Sequence, residues 1–317
     1  MRKGTVTLTL FRLGLGLARW LPFRVCAACG AAGGWLAGWS VLHRSVVAAN
    51  LRAIAAAGDG GVPAETPGEL QEDAGVRSVQ RRSRSPHVSS VFTAYGRYWG
   101  EFLALAARPE RFDRLVIRVE GWEHLGRAAA LGPVCAVTAH LGNWDLGARF
   151  VARRLPRFAV AAEAVEPTAL FRLYVQARER AGCLVIPAER GGVCLYRHLR
   201  GGGHAGIVAD RVFGSGSRNV PFLGGTREFP AAGMDLARRA GASLFPVFLV
   251  RDGSGYRLRI HPELPPWEDP VAAFARVLEA EAQLFAEQYC LLYPLHSSAS
   301  GTQPARIPPV QGKAATA

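Results

Sequence analysis

Residues 133–155 read PVCAVTAHLGNWDLGARFVARRL, and this stretch decides the fold of the chain. It opens on a short apolar run, 133–137, of the kind that forms a buried parallel strand. It closes on residues 146–155, where apolar and arginine positions alternate with the period of a helix. His140 is therefore predicted to lie where a strand ends, and Asp145 in or near the first turn of the next helix. Catalytic and binding groups of open α/β sheets gather at that carboxyl edge.

The alternation of strand and helix continues along the chain. Strands are predicted at 134–139, 158–162, 184–187, 205–209, 220–223, 244–250 and 256–261. Helices are predicted at 91–108, 144–154, 168–181, 192–200, 232–240 and 271–289. Because strands that alternate with helices pair in parallel and are covered on both faces, this order predicts an α/β fold with a mostly parallel central sheet flanked by helices.

The composition divides the chain into four segments. Residues 1–57 are basic and apolar, and they predict N-terminal helices that associate with a membrane. Residues 58–90 are polar, contain Gly, Pro and Ser, and predict a loop or insertion. The α/β domain is predicted over residues 91–293. Residues 294–317 are rich in Ser, Ala, Pro and Gly, and they predict a disordered tail.

The strong positive charge points to anionic partners. The chain carries 38 Lys and Arg residues against 25 Asp and Glu, a net charge of +13. Phospholipid head groups, phosphorylated cofactors and nucleic acid all fit such a charge. No fold-specific nucleic-acid motif accompanies it, so no nucleic-acid partner is predicted. Residues 1–58 hold no acidic residue, and Trp20, Trp35 and Trp39 suit the head-group zone of an anionic bilayer.

The sequence leaves open how the N-terminal segment meets the membrane. Residues 25–42 are uncharged and approach the ~20 residues that span a bilayer, yet Ala and Gly dominate them. A cleaved signal peptide is a second alternative, opposed by Arg12, Arg19 and Arg24 within the apolar run. The preferred expectation is helices that lie on or dip into the cytoplasmic face of the cell's inner or plasma membrane.

The six cysteines show no paired framework, which indicates a reduced, cytosolic environment. The only close pair, Cys26 and Cys29, lacks the second pair or the neighbouring His residues that a zinc site needs. The sequence therefore predicts neither a bound metal nor a cofactor.

His140 and Asp145 suggest general-base chemistry. A His and a carboxylate five residues apart can meet across a strand-to-helix turn. The carboxylate would then hold one ring nitrogen and leave the other to take a proton from a hydroxyl. The alternative is an Asp at a helix N-terminus next to an unrelated His.

The motif His-Leu-Gly-Asn-Trp-Asp at 140–145 resembles the H-x4-D/E box of the lysophospholipid acyltransferase superfamily. More narrowly, it resembles the branch that contains the lipid A biosynthesis (lauroyl/myristoyl) acyltransferases and the phosphatidylinositol mannoside acyltransferases. Four further segments match in the family's order and rough spacing: the basic run before Asn50-Leu51 (44–51), Tyr-x-x-Tyr-Trp-x-Glu-Phe (95–102), an apolar strand before Ala-Asp-Arg (206–211), and Gly-Ala before an apolar strand (241–247). The resemblance covers about residues 13–289.

This resemblance implies an enzyme that moves a long-chain fatty acyl group to a hydroxyl of a membrane glycolipid. The implied donor is acyl-CoA or an acyl carrier protein, and the implied acceptor is a phosphatidylinositol mannoside or a lipid A-type lipid. His140 would be the general base and Asp145 its orienting carboxylate, with no covalent acyl-enzyme and no cofactor. The sequence has no Gly-x-Ser-x-Gly elbow, which counts against an α/β-hydrolase.

Asp210 and Arg211 form a second candidate segment, because they follow another predicted strand. If the two strands are neighbours, Asp210 lies beside His140, and the resemblance places it in the wall of the active site. Arg211 would bind a phosphate of the acceptor or the donor. A structural Asp–Arg pair at the strand end is the alternative.

Five more residues are candidate substrate-binding groups. Gly142 and Asn143 fill the turn before the helix, where Asn143 suits the N-cap and free amides would stabilise an oxyanion. Trp144 would wall the pocket or simply pack. Glu163 ends the second predicted strand at the same edge and would contact the acceptor, and Arg178 lies on the helix that follows.

Two other functions remain open from the residues alone. One is a metal-dependent hydrolase of a phospholipid-like substrate that uses His140, Asp145 and Asp210 as ligands. The other is a non-enzymatic basic protein that binds a membrane through its arginines.

Overall fold

The computed structural model describes residues 2–38, 43–59, 87–162, 165–187, 191–212, 216–290 and 292–296. Its helices are α1 (Arg2–Ala18), α2 (Phe23–Ala37), α3 (Arg44–Asp59), α4 (Val88–Ala107), α5 (Trp122–Leu131), α6 (Trp144–Ala152), α7 (Thr168–Arg180), α8 (Gly191–Arg200), α9 (Ala232–Arg239) and α10 (Pro270–Leu284), with 3-10 turns at Pro109–Arg114 and Ala286–Gln288. Its strands are β1 (Ile117–Glu120), β2 (Val134–Thr138), β3 (Phe158–Ala162), β4 (Leu184–Pro187), β5 (His204–Val208), β6 (Ser217–Phe222), β7 (Gly225–Pro230), β8 (Ser243–Asp252) and β9 (Gly255–Ile260).

The described strands form a seven-stranded sheet in the order β1-β9-β8-β2-β5-β3-β4 and a separate hairpin of β6 and β7. Strands β8, β2, β5, β3 and β4 run parallel, β9 runs antiparallel to β8, and β1 runs parallel to β9. The predicted α/β fold with a mostly parallel central sheet is therefore confirmed.

The alternation of side chains along β2 explains why helices cover both faces of this sheet. Val134 and Ala136 belong to the core on the α4–α6 side, whereas Cys135 and Val137 belong to the core on the α8–α10 side. All four are buried. A strand that is apolar on both faces can be buried only between two layers of helices.

Sequence reasoning missed some elements and misjudged some boundaries. It predicted neither β1 nor α5, and it predicted only the end of the hairpin, at 220–223. The hairpin turns at Leu223 and Gly224, both with positive φ (50° and 75°), and it lies outside the main sheet. The last helix ends at Leu284 instead of 289, where a 3-10 turn follows.

The N-terminal segment is helical in its described part, as predicted, and α2 packs unusually closely against α4. Gly30 and Gly34 of α2 face Gly96 and Gly100 of α4. A Cβ atom at Gly96 would lie 2.2 Å from the carbonyl oxygen of Gly30, and one at Gly30 would lie 2.3 Å from that of Gly96. The two backbones can touch only because side chains are absent, the usual reason for spaced small residues at a helix crossing.

Within the described ranges, no helix combines the length and the apolar character that crossing a bilayer requires. The predicted boundaries at 57/58, 90/91 and 293/294 remain predictions. Most of the predicted loop at 58–90 and nearly all of the predicted tail lie outside the described residues.

We expect Gly96→Ala and Gly33→Ala to have opposite effects on stability. The methyl group at Gly96 meets backbone atoms that cannot rotate away, so the free energy of unfolding should fall by about 1–3 kcal/mol. Gly33 lies on an exposed part of α2 with nothing within 4 Å of its would-be Cβ. There the higher helix propensity of Ala should add up to about 1 kcal/mol. Denaturant titration followed by circular dichroism measures both, and equal effects would contradict the close crossing.

Candidate active site

The register of β2 and β5 brings His140 and Asp210 together. Thr138 pairs with Val208 at the ends of these parallel neighbours, and the amide of Ala209 donates to the carbonyl of Thr138 (2.8 Å). His140 and Asp210 lie two residues beyond that pair on adjacent strands. The two strands are neighbours, and the prediction that Asp210 would then lie beside His140 is confirmed.

The carboxylate of Asp210 holds His140 at two atoms. Its Oδ1 lies 2.7 Å from Nδ1 of the His140 ring, and its Oδ2 accepts the backbone N–H of His140 at 3.1 Å. An ionised carboxylate can only accept, so the ring proton belongs on Nδ1 and Nε2 keeps its lone pair. No residue in the described part of the chain hydrogen-bonds Nε2, and 21% of the His140 side chain is exposed. The arrangement presents an oriented proton acceptor.

Asp210 is completely buried, and its surroundings keep it ionised. Burial alone would raise the pKa of Asp210, but the His140 ring and then the charge of Arg227 outweigh that effect and hold the pKa below its ordinary value of 3.8.

Arg227 of β7 and Tyr289 clamp the pair from the side of the hairpin. Arg227 donates Nη2 to the backbone carbonyl of Asp210 and Nη1 to the hydroxyl of Tyr289 (3.0 Å). The next residue, Cys290, donates its amide to the carbonyl of His140 (2.8 Å). Arg227 is thus bonded to Asp210 directly, and it is connected to His140 through Tyr289 and the adjacent Cys290. Sequence reasoning missed both Arg227 and Tyr289, because nothing near them in sequence marks a contact with Asp210.

The predicted pairing of His140 with Asp145 is wrong. Asp145 is buried and accepts from Arg178 (Nε to Oδ1, 2.7 Å) and from the hydroxyl of Tyr98 (2.7 Å to Oδ2). Because α6 begins at Trp144, the first turn of the helix carries Asp145 towards α4 and α7, away from the ring that Asp210 holds. Asp145 therefore joins three helices.

Trp144 does contact the His140 ring, as an aromatic wall. The two rings meet edge to face, with centroids 4.8 Å apart and planes at 73°. On its other side Trp144 stacks on Tyr98, with centroids 4.0 Å apart. Burial, and then the charge of Asp145, raise the pKa of Tyr98 well above its ordinary value, so the phenol remains a hydrogen-bond donor to Asp145.

The turn before α6 is bonded to the body of the domain. Gly142 has a φ of 70°, and a Cβ there would lie 2.1 Å from the carbonyl oxygen of Leu249. Its amide donates to the backbone carbonyl of Gln288 (3.0 Å), and the amide of Asn143 donates to the backbone carbonyl of Leu249 (2.8 Å). The expectation that these two amides are free to stabilise an oxyanion is therefore wrong, because both already have acceptors.

Asn143 is the N-cap of α6, as predicted, since its Oδ1 accepts the amide of Leu146 (2.9 Å). Its Nδ2 donates to the buried carboxylate of Glu101 (2.7 Å), which also accepts from the hydroxyl of Tyr256 (2.6 Å). Burial raises the pKa of Glu101. Sequence reasoning gave neither Glu101 nor Tyr98 a role in the site, although both belong to the matched segment 95–102.

An apolar cavity opens beside Trp144 and runs between the sheet and α6. Its volume is about 60 Å³. Small residues line much of it, including Ala136, Ala148, Ala161 and Gly206, together with Val151 and Phe158. Asp145 and Arg178 also border it.

The remaining predicted site residues are not all tested. Glu163 lies outside the described residues. The guanidinium of Arg211 lies 4.8 Å from the centroid of the Tyr293 ring. In the described part of the chain, no three His, Cys, Asp or Glu side chains converge as metal ligands. His140, Asp145 and Asp210 do not form the ligand set that a metal-dependent hydrolase would need, since Asp145 is engaged by Arg178 and Tyr98.

The site combines an oriented His at the carboxyl edge of a parallel sheet, an adjacent apolar cavity and the H-x4-D sequence through which the chain resembles lysophospholipid acyltransferases. Residues 76–296 match the family model for bacterial lipid A biosynthesis acyltransferases. The match spans more than half of the chain, and the chain belongs to this family.

Curated relatives point to the same branch. The chain is 29% identical over 204 residues to the phosphatidylinositol mannoside acyltransferase of Mycobacterium tuberculosis (strain CDC 1551 / Oshkosh). The matched stretch covers 61% of this chain and 63% of the relative. The chain is 30% identical over 197 residues to the phosphatidylinositol mannoside acyltransferase of Mycolicibacterium smegmatis (strain ATCC 700084 / mc(2)155), covering 60% and 64%. The chain thus matches slightly less than two thirds of the length of these relatives. The resemblance to this branch is confirmed.

The stability contributed by Asp210 should depend on pH. Its pKa is lower in the folded protein than its ordinary value, so the contribution is fully present above about pH 4 and is lost as the pH falls through the folded-state pKa. The difference in unfolding free energy between the wild type and Asp210→Asn should therefore shrink as the pH falls below about 4, the ordinary pKa of an Asp side chain.

Denaturant titrations at a series of pH values measure this difference. Glu123→Gln, an exposed change on α5, provides the baseline for a surface carboxyl group. A difference between wild type and Asp210→Asn that grows on acidification would contradict the ionised pair.

Proposed function

We propose that this protein transfers a long-chain acyl group from a thioester donor, acyl-CoA or an acyl carrier protein, to a hydroxyl of a membrane glycolipid. The observation that carries the proposal is the Nε2 atom of His140, oriented through Asp210 and without a protein partner in the described part of the chain. Membership of the family supports acyl transfer. The relatives named phosphatidylinositol mannoside acyltransferases favour that acceptor over a lipid A-type lipid.

The proposed mechanism needs no nucleophile from the protein. The acceptor hydroxyl donates its proton to Nε2 of His140 while its oxygen attacks the thioester carbonyl. Asp210 keeps the ring in the required tautomer and stabilises the imidazolium that forms. The proton then passes from His140 to the departing sulfur. A C–O ester bond replaces the C–S bond, and a free thiol leaves.

Asp145 acts in this proposal as a positioning residue. It joins α6 to Tyr98 of α4 and to Arg178 of α7, and Tyr98 supports the ring of Trp144 that contacts His140. Loss of the Asp145 carboxylate would leave the buried cation of Arg178 without its partner, which is costly. Its effect on the reaction is therefore indirect.

We assign the acyl chain to the apolar cavity beside Trp144. At about 60 Å³ the cavity is smaller than the ~150 Å³ that holds one benzene molecule in a protein core. A long chain would therefore enter only if α6 and the side chains on it yield. The cavity borders Trp144 and Thr138 at the end of β2, so a chain inside it would place its carbonyl near His140.

The N-terminal helices provide a surface that fits an anionic bilayer. Apolar side chains on α1, on α2 and in the turn between them are strongly exposed, among them Leu10, Leu13, Leu17, Trp20 and Leu36, which are 61–84% exposed. Arg12, Arg19 and Arg24 lie between them. Exposed apolar and basic residues together are typical of helices that lie in the head-group zone. We propose that this surface docks on the cytoplasmic face of the plasma membrane, where an aqueous donor meets a lipid acceptor.

His140→Ala should lower the rate of acyl transfer by roughly 10²–10⁴-fold, the usual contribution of a general base. Asp210→Asn should also lower it strongly, because the amide no longer fixes the tautomer. The assay incubates the purified protein with radiolabelled palmitoyl-CoA and either a phosphatidylinositol mannoside or a lipid A precursor. His124→Ala, an exposed change on α5, is the matched control.

Two results would reject this mechanism. Full transfer by His140→Ala would show that another group is the general base. Release of free palmitate that does not depend on the acceptor would favour the hydrolase alternative.

Ala148→Phe should change the chain-length preference, since Ala148 lines the apolar cavity on α6. A bulky ring there would exclude long chains more than short ones. We expect kcat/KM for palmitoyl-CoA to fall by about tenfold or more, the effect of a few displaced methylene groups, while octanoyl-CoA is used nearly as well as by the wild type. The short donor serves as an internal control for folding. An equal loss with both donors would contradict the assignment of the cavity.

A further inference from the structure

A second cavity, of about 420 Å³, adjoins the other side of the turn that follows His140. Its walls come from α2, α4, the β8–β9 turn and the 3-10 turn at Ala286–Gln288, and it reaches the site turn through Gly142 and Asn143. It is much larger than the apolar cavity, and polar and apolar atoms contribute about equally to its lining. The acyl-transfer mechanism described above makes no use of it.

Two arginines in this cavity wall have no side-chain partner among the described residues. Arg97 of α4 and Arg251 of β8 both line the cavity. Neither guanidinium makes a hydrogen bond or an ion pair with any residue in the described ranges, whereas Arg149, Arg178 and Arg257 are each paired with a carboxylate. Two unpaired guanidinium groups around one cavity repel each other unless an anion lies between them.

The charges of both arginines reach the base of the cavity. Burial raises the pKa of Glu101, and Arg97 and Arg251 both pull it down. The two oxygens of Glu101 already accept from Asn143 and Tyr256. Glu101 therefore feels both charges without forming an ion pair with either. Glu287 also lines the cavity, so its wall carries acidic as well as basic groups.

Hydroxyl donors lie beside the two arginines. Ser89 and Ser90 line the cavity from the first turn of α4, the positive end of the helix dipole. Neither hydroxyl makes a hydrogen bond with the described residues, whereas Thr93 uses its hydroxyl on the carbonyl of Ser89. Arginine forks, hydroxyl groups and a helix N-terminus are together the donors that phosphate oxygens prefer.

We propose that this cavity binds the phosphate of the glycolipid acceptor's polar head group. The inference rests on the proposed acyl transfer and adds a binding site to it. Trp35 lines the cavity on α2, and the adjacent Leu36 is 63% exposed on the surface assigned to the membrane. A lipid held at that surface would therefore bring its phosphate to the cavity that Arg97 and Arg251 line. The shared wall at Gly142 and Asn143 connects the head group to the catalytic turn.

The test measures KM separately for acceptor and donor in Arg97→Gln, Arg251→Gln and the double variant. We expect KM for a phosphatidylinositol mannoside to rise roughly tenfold or more in the double variant, as loss of charged hydrogen bonds predicts, with kcat and KM for palmitoyl-CoA unchanged. Arg97→Lys should restore part of the loss. Arg200→Gln is the matched control, since Arg200 is exposed at the end of α8, beside the opposite edge of the sheet.

The outcomes are distinguishable. A rise in KM for palmitoyl-CoA alone would overturn the assignment to the acceptor and give the phosphate to the donor. Unchanged KM values for both substrates, or an equal change in Arg200→Gln, would overturn the site itself.

A binding measurement separates this inference from the proposed function. Isothermal titration with inorganic phosphate on the full-length protein needs no turnover. Wild type and Arg200→Gln should bind it, and the double variant should not. Phosphate binding without any acyl transfer would leave the anion site standing and reject the proposed function. Acyl transfer by a wild-type protein that binds no phosphate would support the proposed function and reject the anion site. Circular dichroism melting shows whether each variant is folded.

Discussion

The parallel register of β2 and β5 is the constraint on which the site depends. Adjacent parallel strands that pair Thr138 with Val208 must also place His140 against Asp210. One carboxylate then fixes both the backbone and the ring of His140. A slip of one residue would turn every side chain of β2 to the opposite face of the sheet. Such a slip would also exchange the side chains that β2 packs into the two layers of the core and would separate His140 from Asp210.

Buried charge is tolerated around the site because each carboxylate has specific donors. Asp210 is bonded to His140 and lies near Arg227. Asp145 accepts from Arg178 and Tyr98. Glu101 accepts from Asn143 and Tyr256. Removing one member of such a set leaves an uncompensated buried group, which costs more than the bond itself contributes. These contacts connect the central strands to α4, α6, α7 and the hairpin. The position of His140 is therefore determined by elements distant in sequence.

The surface proposed to meet the membrane and the helix that supports the candidate site lie together at α2 and α4. Their glycines allow backbone contact, which fixes the exposed apolar face of α2 relative to the helix that carries Tyr98 and Glu101. The polar cavity with Arg97 and Arg251 lies at the same junction. A lipid head group at the surface of α2 and a chain beside α6 would thus approach the His140 turn from two sides.

The sequence alone determined the strand–helix alternation, the position of His140 at a strand end, the N-cap at Asn143 and the family. These features follow from local periodicity, turn chemistry and short motifs, all of which are contained within a few neighbouring residues. Tertiary structure alone decided which acid meets His140. Asp145 is five residues away in sequence but is turned towards Arg178, whereas Asp210 is seventy residues away and adjacent in the sheet. It also decided the roles of Arg227, Tyr289 and Glu101, because strand order and helix packing bring together groups that no sequence spacing relates.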